Sequence, residues 1–67
     1  MSVARVTEIT STSPQNFEEA IRHGIARAHQ TLRGISGAWV KEQNVMIENG
    51  AIKEFRVNLL VTFVLED

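Results

Sequence analysis

The chain has no cysteine, no tyrosine, one proline and one tryptophan in 67 residues. Without cysteine there is no disulfide, and the usual zinc spacings lose their thiolates; the two histidines, His23 and His29, stand too far apart to replace them. No apolar run approaches the ~18 residues that a membrane-crossing helix requires. The start Met1-Ser2-Val3-Ala4-Arg5 lacks the basic-then-apolar order of a secretory leader, so the expected compartment is the cytoplasm. Neither charge sign is in excess: seven basic and eight acidic residues are interspersed for a net charge of −1. That balance offers no electrostatic footprint for nucleic acid or an anionic membrane, and neither is expected as a partner.

Catalytic groupings are missing as well. Glu19 and His23 form an i,i+4 helical pair, Ser11-Thr12-Ser13 reads as capping chemistry, and no phosphate-loop pattern surrounds Gly50. With no nucleophile beside a base, the chain reads as a non-enzyme.

One domain spanning 1–67 is all this length allows. A chain so short leaves about 40% of its unfolded-state surface exposed after folding, and its core is marginal without a staple. With disulfides and zinc removed, self-association is the remaining staple.

The elements read as strand, helix, strand, strand. Val3 to Thr10 is rich in β-branched residues and reads as a strand. Ser13-Pro14 predicts a helix start, with serine as cap and proline in the first turn. Phe17, Ile21, Gly24, Ile25, Ala28 and Leu32 recur at three- and four-residue steps as one apolar stripe, so the helix is expected over 14–33, with Gly34 as its left-handed stop. Strands are expected over 37–48 and 51–65, joined by Asn49-Gly50, the pair that best suits the positive φ angles of a type I′ turn.

In the last strand the odd positions Phe55, Val57, Leu59, Val61, Phe63 and Leu65 are all apolar, which marks the face packed on the helix. A two-residue turn sets Gln43 opposite Arg56, Lys41 opposite Asn58 and Trp39 opposite Leu60, all on the face away from the helix. That second face then carries Trp39, Val45, Ile47, Ile52, Leu60 and Val64, too much apolar surface for one helix to leave in water. Another copy of the chain is the simplest cover.

The order of elements and several strings resemble the dodecins, small proteins that assemble as hollow homo-dodecamers and in many cases bind flavins. The strings are Arg5-Val6, Glu8-Ile9, Thr12-Ser13-Pro14, Glu19-Ala20-Ile21, Ala26-Arg27-Ala28, Thr31-Leu32-Arg33, Val40-Lys41-Glu42 and Phe63-Val64-Leu65-Glu66. The resemblance implies an α+β, β-α-β-β subunit: a three-stranded antiparallel sheet packed around one long helix, assembling into a hollow homo-dodecamer. It also implies a flavin or similar flat aromatic ligand (riboflavin, FMN or a lumichrome-like ring) held between subunits by a stacking tryptophan early in the second strand and a glutamine on the last.

Here the tryptophan position falls on Gly37 and the glutamine position on Arg56, and Val64 replaces a basic residue that some members carry for a phosphate. Trp39 follows Gly37 by two residues and projects to the same side, displaced by roughly 7 Å. The candidate ligand-binding residues are therefore Trp39, Arg56, Gln43 and Gly37. Two readings follow. In one, Trp39 is a stacking platform and the oligomer stores a flavin-like ring. In the other, Trp39 anchors a subunit interface and the assembly is flavin-independent, structural or ion-binding, with Glu42, Glu48, Glu54, Glu66 and Asp67 gathered around symmetry axes.

Overall fold

Asn49 and Gly50 take φ angles of 54° and 78° and close a tight turn between β2 (Ile35–Glu48) and β3 (Ala51–Val64). Both residues must enter the left-handed region, which this dipeptide does at little cost. The computed structural model describes residues 2–65. Its third strand, β1 (Ala4–Ser13), pairs antiparallel with β3 from Ala4 opposite Val64 to Ser13 opposite Phe55, so the sheet order is β1-β3-β2. One helix, α1 (Phe17–His29), links the two outer strands across one face of the sheet. The subunit is α+β, with β-α-β-β order and a three-stranded antiparallel sheet.

The core forms where α1 meets β3. Ala20, Val57, Leu59 and Val61 are fully buried, and Ile9, Phe17, Ile21, Ile25, Leu32 and Ile35 pack around them. The alternating odd positions of β3 supply the sheet half of this core, as period-two patterning requires. Gly24 lets the helix approach β1: a Cβ there would lie 2.9 Å from Ser11 Cβ.

Beyond Phe55 the sheet loses β1 and the helix. Phe17 meets Phe55 edge-to-face at 5.1 Å and 78°, and residues 46–54 continue as a two-stranded tip, giving the subunit a length of 51 Å against 19 and 14 Å.

Four details differ from the expectations above. The first strand runs on to Ser13, because β3 offers pairing partners to Ser11, Thr12 and Ser13 that no local signal reveals. The helix is shorter than 14–33. Ser13 is buried in β1 with its Oγ accepting the Gln15 N–H at 3.0 Å, so Asn16 caps instead, its Oδ1 accepting the Glu19 N–H at 2.7 Å. At the other end α1 stops with Gln30 as its cap; Gly34 does hold a positive φ of 72°, but beyond the helix.

The register also shifts. Lys53 is an extra residue in β3 opposite the step from Met46 to Ile47, and Lys41 is one in β2 between Val40 and Glu42; they bracket a stretch displaced by one position, and a third shift falls at Ser36, between Ile35 and Gly37. Gln43 therefore faces Val57, Asn44 faces Arg56 and Glu42 faces Asn58, while Trp39 opposite Leu60 stands as expected. Because one step of register exchanges faces, Val45, opposite Phe55, joins the helix side, and Ile47, two residues on and paired with Ile52, goes with it, so all three leave the outer apolar set.

Candidate functional site

The outer face of the sheet is built from residues of three strands whose side chains point away from α1. Its middle is polar. Lys41 Nζ lies 3.3 Å from Glu8 Oε1, reaching over β3 from β2 to β1. Thr10 donates to Asn58 Oδ1 at 3.1 Å, and Asn58 Nδ2 donates to Glu42 Oε1 at 3.3 Å. This rung, which the sequence reading did not include, joins all three strands. Its members are scattered in sequence, and only the adjacency of β1 to β3 brings them together.

Beside the rung lies an apolar patch. Trp39, opposite Leu60, is 72% exposed, and Val6 and Val64, further along the same face, are 54% and 37% exposed. Indole area this open in water is costly for a protein with so small a core, and it is the most conspicuous unpartnered surface on the body of the sheet. Gly37 faces Thr62 on the same side, and a Cβ on it would meet nothing within 4 Å. The space beside the indole is therefore open on its own strand.

Arg56 shares this face, opposite Thr12 on one side and Asn44 on the other. Among the described residues its Nε is buried and donates to no group, and its guanidinium forms no ion pair. A buried donor without an acceptor is costly, so Arg56 is poised for an oxygen from outside the subunit. It stands four residues from Leu60 along β3, about 13 Å, too far to touch a ring lying on Trp39 of its own chain. Gln43 lies on the opposite face with Val57 and is separated from both.

The structure thus puts Gly37, Trp39 and Arg56 on one face and removes Gln43 from it. Among the described residues no three His, Asp or Glu side chains gather as a metal site, and Glu66 and Asp67 lie outside the described residues. No helix of the described residues is long and apolar enough to cross a membrane.

A second concave surface lies on the helix side. A groove of about 570 Å³ runs between α1 and the free edge of β1, with Ile9, Gly24, Ala28 and Leu32 as an apolar floor and His23 and Arg27 on its rim.

Comparison with known proteins agrees with this architecture. The dodecin family model matches residues 3–66. A dodecin of Thermus thermophilus is 38% identical over 65 residues, covering 97% of this chain and 94% of its own length. A calcium dodecin of Mycobacterium tuberculosis is 33% identical over 63 residues, covering 94% and 89%. The solved structure of dodecin from Streptomyces davaonensis superposes with a TM-score of 0.93 at 38% identity, covering 98% of this chain and 97% of that one. A match to the family over nearly the full length, in sequence and in backbone, places the chain in the dodecin family.

Proposed function

We propose that the chain works in the cytoplasm as a homo-oligomeric binding shell, a hollow homo-dodecamer that holds a flat aromatic ligand of the flavin class against Trp39 between subunits. The observation that supports this most is the indole itself, exposed on the outer face beside the empty space at Gly37. A flat ring laid on it gains stacking and apolar burial together. Because Arg56 is out of reach within one subunit, its donors would meet such a ring only from a neighbouring copy. The ring is bound and released unchanged, and no bond is made or broken. Val64, where a cation would meet a phosphate, favours riboflavin or a lumichrome-like ring over FMN.

Titrating riboflavin into the purified oligomer tests this reading. Saturable quenching of flavin fluorescence that disappears in Trp39→Ala is expected. Unchanged fluorescence at micromolar protein removes the ligand from the account.

A flavin-independent, cation-binding assembly is the second reading, supported by the calcium dodecin relative at 33% identity. Carboxylates such as Glu42 would then have to meet across subunits, since none cluster among the described residues of one chain. Calorimetric titration with calcium separates the two: heat of binding with no flavin quenching favours the cation.

A further inference from the structure

A glycine inside a strand weakens it, and where one stands it marks a bulge, a sharp bend or a close approach from outside. Gly37 in β2 fits the third case alone. The bulge type that needs glycine holds it at positive φ, whereas the positive-φ glycines among the described residues are Gly34 and Gly50, so the register shift at Ser36 does not require it. No bend requires it either, since Gly37 to Val40 pair with Thr62 to Leu59 without a break. Nor does the chain itself press on it, because a Cβ there would meet nothing within 4 Å.

What surrounds Gly37 gives the vacancy a shape. Trp39 stands two residues on, on the same face and about 7 Å along the strand. Carbon surfaces pack at about 3.5 Å, so one flat ring laid against the indole fills that interval with a contact distance on each side. Residue 37 can then carry little beyond hydrogen. On the other flank of the indole Lys41 reaches over β3 to Glu8 at 3.3 Å, which leaves the Gly37 side as the open one. Thr62 lies opposite Gly37, and Val6 lies opposite Thr62 on β1. Among the described residues the Thr62 hydroxyl takes part in no hydrogen bond. The interval therefore has an indole wall, a bare backbone floor and one free hydroxyl at its edge.

We infer that Gly37 and Thr62 form a slot one ring thick beside Trp39, and that these two residues decide which ligand it takes. Gly37 admits a planar fused ring and rejects a thicker, saturated one. Thr62 favours a ring whose edge carries a carbonyl or an N–H for its hydroxyl, as the imide edge of an alloxazine does. The inference rests on the stacking reading proposed above and adds the two residues that select the ring.

Fluorescence titration of riboflavin and lumichrome into the wild type, Gly37→Val and Thr62→Val tests it, with circular dichroism and sedimentation as checks on fold and assembly. Valine suits a strand at both positions. Gly37→Val is expected to raise Kd for both rings at least about tenfold, because its branches close the slot. Thr62→Val keeps the shape and removes the hydroxyl, for an expected loss of about fivefold. Gly37→Ala, which adds one carbon, is expected to weaken binding less than valine does and takes its place if valine disturbs assembly. A residue-37 variant that assembles and binds both rings as tightly as the wild type overturns the slot and leaves stacking on Trp39 standing. Undiminished binding by Thr62→Val overturns the role of the hydroxyl, and a wild type that quenches neither ring overturns both the slot and the stacking reading.

Discussion

At Gly24 the helix comes so close to β1 that any side chain there must displace Ser11, whose Cβ would lie 2.9 Å away, or Leu59, whose Cδ1 would lie 3.3 Å away. Ser11 Cβ is fixed to strand backbone and has little freedom to retreat. Alanine gains about 1 kcal/mol of helix propensity over glycine, but overpacking a tight contact costs about 1–3 kcal/mol. Gly24→Ala is therefore expected to lower stability by about 1 kcal/mol in urea denaturation; a gain in stability would show that the helix can move away from the strand freely. Residue identity carried much of this region. The stripe of Phe17, Ile21, Gly24, Ile25, Ala28 and Leu32 all meets the sheet, and what the spacing did not single out was Ala20, the helical residue with no exposed surface. Alanine contributes little to a hydrophobic pattern, yet it is buried in one cluster with Val57, Leu59 and Val61.

For the elements, legibility depended on whether the signal was local. Asn49-Gly50 specifies its turn with its own dihedral preferences, and the strands on either side followed from it. The helix start was misplaced because Ser13 and Asn16 are both competent caps in sequence. Pairing of Ser13 with Phe55 in β1 removed the serine from the competition. Asn16→Ala is accordingly expected to cost about 1 kcal/mol and to speed exchange of the Glu19 amide, which the Asn16 side chain holds at 2.7 Å. An unchanged amide would return the capping role to Ser13. The register shifts lay beyond reach of sequence, since an extra residue shows itself only against its partner strand. Their consequence is concrete: they move Gln43, Val45 and Ile47 to the helix side and leave the outer face with a polar centre beside the apolar patch at Trp39.

Taken whole, the subunit is a small core with long arms. Its buried cluster is limited to what one thirteen-residue helix can cover, while Trp39, Val6, Ile47 and Ile52 stand more than half exposed. A chain of this size with no disulfide gains the missing stability by burying such surfaces against neighbours. The candidate ligand site was legible as a face, through Gly37, Trp39 and Arg56, but not as a pocket, because in the proposed assembly its walls come from more than one subunit. That dependence makes assembly the central claim. Sedimentation equilibrium of the purified chain, followed down to nanomolar concentration, tests it most directly. A species many times the 7.5 kDa of one chain, about twelvefold if the shell is dodecin-like, is the result predicted. A folded single chain that persists on dilution would contradict it.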